Sequence, residues 1–380
     1  MDLTDYFDRV DFDAFNENLR LNPKYSLGKT IERNSLAMNE SDLEKVDVAI
    51  VGVPFDTVDN ESKPTSVPDS IRKHLYQLAS IEKLNLVDLG NLKTAQSHKG
   101  TYLALRDVVD YLGESKVTVL LLGGSEDFGF GVCQAFRNDK FFTFSAVDAF
   151  LDVKKGKEAF HPENYLSRIF SKQPELFQFS LIGYQRHRVP GKLLSKTKGV
   201  GQHIGLGELR GDLAVSEPIL RNSDFVSFDF STFGYPETRG KKKLPNGLSS
   251  DEVCQLARYA GLSDKLSVLS LFEVNENEPI NTALAAEAAW YFIEGVAQRS
   301  HRNPADDDGF VIHKVEVWQI EIPLVFYEDK TTGRWWMKLQ STGNSFVFLA
   351  CSEQDYVAAS HNEIPEIYLK YVQKIDELLK

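Results

Sequence analysis

Seven short apolar runs, separated by segments with helical spacing, limit the folds available to this 380-residue chain. Runs of this length, bounded by turn residues, are typical of strands that are buried on both faces of a sheet. Because helical patterns alternate with them, we expect a three-layer α/β/α fold with a doubly wound, mainly parallel sheet. The predicted strands are 46–53, 84–88, 117–122, 141–147, 179–183, 225–230 and 266–272.

Helix-start residues and helical spacing predict the elements between the strands, and the pattern changes near residue 301. The predicted helices are 101–112, 162–171, 218–220, 250–259 and 282–298. Residues 301–308 are polar and are predicted to leave the core. Beyond them, 315–325 alternates like a strand, 329–333 is a candidate hairpin turn before Arg334, and 364–379 is an amphipathic helix. The predicted organisation is an N-terminal helical arm (1–45), an α/β core (46–303) and a C-terminal β-hairpin plus helix extension (304–380).

The charge and the apolar content of the chain exclude several classes of protein. A formal net charge of -12 disfavours nucleic-acid binding, which needs a positive surface. No segment is both apolar enough and long enough to span a membrane, and the acidic first ten residues do not resemble a secretory signal. We therefore expect a cytoplasmic protein. The short basic run 239–243 is interpreted as a solvated loop rather than an anion or partner site.

Carboxylates follow four of the predicted strands directly. Because the carboxyl ends of parallel strands meet at one rim of a sheet, these side chains should converge there. They are Glu126, Asp148, Asp152, Asp229 and Glu273. A purely structural reading stays open, since such carboxylates also cap helices and bind loop amides.

The same strand ends carry motifs that resemble those of the arginase, agmatinase and formiminoglutamase family. The family's GGDHS, DAHxD, SxDxD and E[VFY]NP motifs correspond to LGGSED (122–127), VDAFLD (147–152), SFDFS (227–231) and FEVN (272–275). Residues 51–56 resemble the GxPxD opening, 68–72 the GPxxIR helix start and 87–90 the DxG segment. The segments 245–248 and 257–261 are most similar to the formiminoglutamase-like branch.

This resemblance implies hydrolysis of a guanidino or formimino carbon to nitrogen bond by a hydroxide that bridges two manganese ions. Such sites use two histidines and four aspartates, of which Asp148, Asp152 and Asp229 are retained at matching positions. Glu126 and Phe150 replace the histidines, and Ser231 replaces an aspartate. Phe150 and Ser231 both fall at the second metal position, and a phenyl ring cannot be a ligand. We therefore expect a degenerate site without a two-metal cluster.

The first metal position would instead be surrounded by Glu126, Asp148, Asp152 and Asp229. Four carboxylates without a counter-ion repel one another, so one must take up a proton or be neutralised by a lysine or arginine. An all-oxygen site could alternatively hold one Mn, Mg or Ca ion.

Three further residues are candidates for the substrate cleft. Glu273 occupies the substrate-facing position of the E[VFY]NP-like motif. His161 lies in the loop where some relatives have a proton-shuttling histidine, although a surface histidine is the simpler reading. Arg186 follows the fifth strand and could bind an anionic group at the rim, although a loop without a ligand is the simpler reading there.

These patterns lead to two main functional hypotheses. The first is a pseudoenzyme that keeps the fold as a binding or assembly module, and the second is a single-metal hydrolase of carbon to nitrogen bonds in linear amidines. A small-molecule sensor is a third reading. The resemblance implies a homo-oligomer, and the C-terminal extension, with Trp335 and Trp336, is a candidate surface for a protein partner unless these rings pack on the chain itself.

Overall fold

The computed structural model describes most of the chain. The described residues are 1–11, 13, 15, 21–33, 36–58, 61–93, 95, 97–154, 160–172, 176–195, 197, 201–234, 236–305, 309–340 and 346–378. Within them, a large sheet with helices on both faces forms the core, and a separate antiparallel sheet is formed by the C-terminal residues.

The core sheet has ten strands and is parallel except at one edge. Its order is β1-β6-β3-β7-β12-β11-β8-β9-β10, with β2 also paired to β6, and β1 is the antiparallel strand. The strands are β1 (Phe7–Asp8), β2 (Glu32–Arg33), β3 (Val48–Gly52), β6 (Leu86–Leu92), β7 (Thr118–Leu122), β8 (Phe142–Val147), β9 (Leu176–Tyr184), β10 (His203–Gly205), β11 (Phe225–Asp229) and β12 (Val268–Phe272). The predicted doubly wound, mainly parallel sheet is confirmed.

Both faces of the sheet are buried, which explains why its strands are continuous apolar runs rather than alternating ones. In β7, Leu120 and Leu122 belong to one hydrophobic cluster, whereas Val119 and Leu121 belong to the cluster on the opposite face. All four side chains are at most 1% exposed. Successive side chains of a strand point to opposite faces, so each residue of this run contributes to a core.

The five helices predicted from spacing begin and end within a few residues of the predicted bounds. The helices of the structure cover the two faces of the sheet. They are α1 (Leu27–Thr30), α2 (Glu40–Leu43), α3 (Val67–Leu75), α4 (His98–Glu114), α5 (Gly129–Ala135), α6 (Tyr165–Lys172), α7 (Gly191–Leu194), α8 (Leu206–Gly211), α9 (Glu217–Arg221), α10 (Ser250–Gly261) and α11 (Pro279–Ala297). None of the described helices is long and apolar enough to cross a membrane.

The described part of the N-terminal segment differs from the predicted helical arm. Its helical turns are short, and β1 and β2 add to the outer part of the core sheet by pairing with β6. A two-stranded hairpin, β4 (Phe55–Val58) and β5 (Glu61–Pro64), follows β3 and was not predicted. These strands are too short for a recognisable period-2 pattern.

The C-terminal residues form a four-stranded antiparallel sheet and two helices. The strands are β13 (Val311–Val315), β14 (Leu324–Asp329), β15 (Arg334–Gln340) and β16 (Phe346–Cys351), followed by α12 (Glu353–Ser360) and α13 (Glu366–Leu378). The turn between β14 and β15 lies where it was predicted. The single strand predicted over 315–325 is wrong: residues 316–323 connect two strands and expose Trp318 and Ile322. Trp335 and Trp336 are at most 9% exposed, so they pack on the chain itself.

Candidate functional site

Four carboxylates that follow β7, β8 and β11 come together at the carboxyl rim of the core sheet, where β12 lies between β7 and β11. Glu126 follows β7, Asp148 and Asp152 follow β8, and Asp229 ends β11. One oxygen from each of Glu126, Asp148 and Asp229 lies within 4.8 Å of the other two. All four residues are at most 7% exposed. The convergence expected from strand topology is therefore present.

Glu126 reaches the cluster because the chain turns sharply after β7. Gly124 has φ +93°, and a Cβ there would lie 2.9 Å from Val53 Cγ1, so only glycine fits without strain. Glu126 then begins a short 3-10 helix that ends at Phe128. The hydroxyl of Tyr165 donates a long hydrogen bond to Glu126 Oε1 at 3.4 Å.

Asp148 and Asp152 lie on the loop that leaves β8. Asp148 Oδ1 accepts from the backbone N–H of Phe150 at 3.0 Å, which fixes the start of this loop. Asp148 therefore binds a loop amide, as the structural reading of the sequence allowed, and it also belongs to the cluster. Asp152 Oδ2 is buried and has no hydrogen-bond donor among the described residues. A buried carboxylate oxygen without a donor favours a nearby cation or a shared proton.

A lysine supplies a positive charge to the cluster. Lys242 Nζ is 3.1 Å from Asp229 Oδ2, and the other oxygen, Asp229 Oδ1, accepts from the backbone N–H of Ser231 at 2.7 Å. The Lys242 side chain is only 30% exposed. The solvated loop predicted for 239–243 is therefore wrong at this residue, because a lysine beside four buried carboxylates is stabilised at the rim.

Burial and mutual repulsion govern protonation in the cluster. Burial, followed by the charges of Asp229 and the other carboxylates, raises the pKa of Glu126 well above its usual range, and burial raises the pKa of Asp148 in the same direction. The pKa of Asp152 is also raised by burial. Although burial opposes its charge, the four carboxylates raise the pKa of Lys242, so this lysine stays protonated.

Phe150 and Ser231 occupy the positions where the resemblance implies ligands of a second metal. The guanidinium of Arg188 lies 5.3 Å from the centre of the Phe150 ring, and Lys242 Nζ lies 4.9 Å from it. Two protein cations thus contact the ring that replaces a ligand. The Ser231 hydroxyl is buried without a partner among the described residues.

Glu273 and a second lysine lie beside the cluster. Glu273 has φ 58°, a strained value for a residue with a side chain, and its Oε1 accepts from the backbone N–H of Glu126 at 3.2 Å. Lys241 Nζ contacts Glu273 Oε2 at 3.3 Å and Asp56 Oδ2 at 3.0 Å. Burial raises the pKa of Glu273 to about 7, although Lys241 opposes the shift.

The other two cleft candidates have different surroundings. His161 precedes the 3-10 helix Pro162–Asn164, and its backbone N–H donates to Asn164 Oδ1 at 3.1 Å, which is a capping contact. Arg186 is exposed and lines a cavity of about 430 Å³ together with His187 and Arg210. None of the four clustered carboxylates lines that cavity.

Three side chains that lie near the cluster were not predicted from the sequence. Lys241, Lys242 and Tyr165 carry no motif, and the only available signal was the presence of a basic run after SFDFS in an acidic chain. Asp127, which follows Glu126, has other partners: its carboxylate lies 2.9 Å from His98 Nε2 and accepts from Thr57 Oγ1 at 3.0 Å.

The donor set fits one metal position better than two. Phe150, at the position where the resemblance implies a ligand of a second metal, offers no donor atom. At the first position, the three converging oxygens of Glu126, Asp148 and Asp229 are of the type and spacing that a hard cation accepts. Asp152 Oδ2 is a further buried carboxylate oxygen without a hydrogen-bond partner in the described part of the chain. That same position is already adjacent to the Lys242 ammonium.

Comparison with known proteins identifies related chains. Residues 46–198, less than half of the chain, match the model of the arginase family. No curated protein sequence matches the chain. The core is similar to formiminoglutamase of Trypanosoma cruzi solved with Mn2+2, with a TM-score of 0.62 and 19% identity over 72% of this chain and 99% of that chain.

Two further solved structures share this fold. Formimidoylglutamase from Bacillus subtilis has a TM-score of 0.59 and 17% identity, covering 67% of this chain and 88% of that chain. Agmatine ureohydrolase of Thermoplasma volcanium has a TM-score of 0.56 and 18% identity, covering 70% and 94%. At these identities the likeness shows the fold, and the family match agrees with the resemblance seen in the motifs within residues 46–198.

Proposed function

We propose that this chain, which is related to the arginase family through residues 46–198 and has the fold of formiminoglutamases and agmatinase, is a non-hydrolytic binding or assembly protein with an eroded metal site. One observation carries the proposal: the Phe150 ring, at the position where the resemblance implies a metal ligand, is contacted by the cations of Arg188 and Lys242. The two-metal mechanism needs a hydroxide held between two ions. Without a donor at Phe150 that hydroxide has no second ion to bind.

Turnover and metal content test this proposal directly. The purified chain would be supplied with Mn²⁺ and with formiminoglutamate or agmatine, and formamide or urea release would be measured along with bound metal. We expect no release above that of an Asp148→Asn variant, which removes a clustered carboxylate at nearly constant volume. Release of many product molecules per chain that is lost in Asp148→Asn would contradict the proposal.

The alternative is a single-metal hydrolase acting on linear amidines, and one observation favours it. The oxygens of Glu126, Asp148 and Asp229 are close enough to hold one Mn, Mg or Ca ion. One ion of this kind can still lower the pKa of a bound water. Turnover with one metal per chain would select this alternative over the non-hydrolytic reading.

For binding, the C-terminal extension offers an exposed apolar surface. Trp318 is 90% exposed and Ile322 is 66% exposed on the connection between β13 and β14, and both are flanked by the exposed Glu316 and Glu321. Tryptophan is the commonest energetic anchor of interfaces. The flanking acids favour a protein partner with an apolar pocket bordered by basic residues. Capture of such a partner from the source cell should be lost in Trp318→Ser and kept in the Glu353→Ser control.

The resemblance to the arginase family also implies self-association, which is a separate proposal. Sedimentation velocity over a range of protein concentrations measures it. We expect a homo-oligomer whose size does not change in Trp318→Ser, because the partner surface and the self-association surface are proposed to differ. A monomer at all concentrations would contradict the oligomer.

A further inference from the structure

We propose that the Lys242 ammonium is the resident cation of the carboxylate cluster and takes the place that a metal ion has in related enzymes. This inference rests on the proposed non-hydrolytic function and adds what occupies the site. Residues 239–243, hereafter the basic segment, are the element that excludes the metal. Lys242, rather than the loss of a ligand at the first position, therefore keeps the cluster free of metal.

The position of Lys242 is fixed by close backbone packing. Gly240 passes so near the end of β11 that a Cβ there would lie 2.6 Å from the carbonyl oxygens of Phe230 and Ser231. The backbone N–H of Lys242 donates to Ser231 O at 2.9 Å. Arg239 and Lys243 both have positive φ, 50° and 47°. Strained residues of this kind persist only where the surroundings hold them, so the segment has a defined path.

Side-chain contacts fix the basic segment at Arg239 and at Lys241. Arg239 Nη1 lies 3.3 Å from Glu278 Oε2, and Asn275 Nδ2 donates to Arg239 O at 3.3 Å. Lys241 pairs with Asp56 and Glu273, as described above. Together these contacts bring two consecutive lysines to two neighbouring groups of carboxylates. Such an arrangement differs from a solvated charged loop, whose side chains would point into water.

Charge makes Lys242 and a metal ion mutually exclusive. A metal coordinated by Asp229 would lie about 2.0–2.6 Å from a carboxylate oxygen. The ammonium is already 3.1 Å from Asp229 Oδ2, so the two cations would be a few ångströms apart in a largely buried site. Asp152 Oδ2, which has no hydrogen-bond partner among the described residues, is a further oxygen that could bind a metal once Lys242 is removed. Removing the lysine should therefore create a metal site.

The test measures Mn²⁺ binding to the full chain, by electron paramagnetic resonance of the free ion and by the change in melting temperature. We expect no high-affinity Mn²⁺ on the wild-type chain. A Lys242→Met variant, which keeps the length of the side chain without its charge, should bind one Mn²⁺ per chain and gain several degrees in melting temperature when Mn²⁺ is added.

Two further variants locate the effect. Lys243→Met changes the adjacent exposed lysine and should leave the chain without bound Mn²⁺. Adding Asp148→Asn to Lys242→Met should remove the acquired Mn²⁺. A Lys242→Met chain that is folded by circular dichroism but binds no Mn²⁺ overturns the proposal, because the lysine would then not be what excludes the metal.

The wild-type chain gives an answer even if Lys242→Met does not fold. One tightly bound Mn²⁺ per wild-type chain, lost in Asp148→Asn, overturns the proposal without any change at Lys242. Turnover is a separate readout. If the wild type binds Mn²⁺ but does not hydrolyse the substrates, only the proposal that Lys242 occupies the site is refuted. If turnover depends on Mn²⁺, the proposed non-hydrolytic function is refuted as well.

Discussion

Arg72 is among the largest fully buried side chains of the described residues, and both edges of its guanidinium are paired. Its Nε and Nη2 donate to the two oxygens of Asp88, each at 2.8 Å, and its Nη1 donates to Asn91 Oδ1 at 2.6 Å. Neither Arg72 nor Asp88 has an exposed side-chain surface. The pair can be buried only because every charge has a fixed partner.

Replacing Arg72 by methionine should therefore be strongly destabilising. Arg72→Met leaves the Asp88 carboxylate buried without its cation, and we expect the free energy of unfolding to fall by about 3–5 kcal/mol. Urea denaturation followed by circular dichroism measures this. Arg106→Met is the matched control, because Arg106 pairs with Asp107 at the surface and such a pair contributes about 1 kcal/mol or less. Equal losses in the two variants would contradict the argument.

Glu273 should make stability depend on pH. Its pKa is about 7 in the folded chain against an ordinary value of 4.5. Between these values the folded chain keeps a proton that the unfolded chain releases, so stability falls as pH rises from about 4.5 to 7. The full shift corresponds to at most about 3 kcal/mol. Glu126 and Asp148, whose pKa values are also raised, act in the same direction.

The contribution of Glu273 can be isolated by comparing variants. Glu273→Gln cannot ionise, so the fall in unfolding free energy between pH 4.5 and 7.5 should be smaller than in the wild type. Chemical denaturation at several pH values gives both slopes. Glu287→Gln, at an exposed position, should keep the wild-type slope. An unchanged slope in Glu273→Gln would show that its carboxyl is already ionised at low pH.

At the scale of elements, the turn between β14 and β15 depends on one buried carboxylate. Asp329 is 0% exposed and accepts from the backbone N–H of Thr331 at 2.9 Å and from Thr332 Oγ1 at 2.9 Å. Arg302 also pairs with it, which ties the end of the core to the hairpin. Asp329 thus stabilises the turn itself and also links it to Arg302 at the end of the core.

Removing the Asp329 carboxylate should loosen the C-terminal sheet before the core. For Asp329→Ala we expect a loss of about 1–3 kcal/mol, since Arg302 and the donors of the turn lose one shared buried acceptor. Hydrogen exchange should increase first in β14 and β15 and only later in β7 and β12. Lys330→Ala, at an exposed residue of the same turn, should leave exchange unchanged. Faster exchange spread evenly over both sheets would contradict this order.

At the scale of the whole molecule, the C-terminal sheet is bonded to the core through α9 and the residue after it. Asn222 exchanges two hydrogen bonds with the backbone of Ala350, both at 2.8 Å. Arg221 donates to Trp335 O and Cys351 O, and its guanidinium lies 4.4 Å from the centre of the Trp336 ring. These contacts favour a single cooperative unfolding of both sheets.

Weakening this junction should separate the two sheets thermally. Asn222→Ala leaves a backbone N–H and a carbonyl of β16 without their partner, so we expect a loss of about 1–3 kcal/mol. Calorimetry should show one transition for the wild type and a broadened or split transition for the variant. Asn277→Ala, at an exposed loop residue, serves as the control. A sharp single transition at an unchanged temperature in Asn222→Ala would refute the coupling.

The local pattern of the chain was sufficient for the main elements. Strands such as β7 and β12 were predicted because burial on both faces forces an uninterrupted apolar run, and the turn at 329–333 was predicted from its own residues. β10 and the β4–β5 hairpin were missed, because short strands carry too little pattern and depend on pairing with distant residues. The predicted strand over 315–325 failed because its alternation belongs to a connection between two strands.

Sequence alone also determined which carboxylates converge, because strand ends of a parallel sheet share one rim, and it determined that Phe150 cannot be a ligand. Only the tertiary structure decided what neutralises the cluster. Lys242 lies thirteen residues after Asp229, and its ammonium reaches the carboxylate because Gly240 packs against the end of β11. The path of that segment depends on contacts with Glu278, Asn275 and Ser231 from other elements, and no local pattern encodes such contacts.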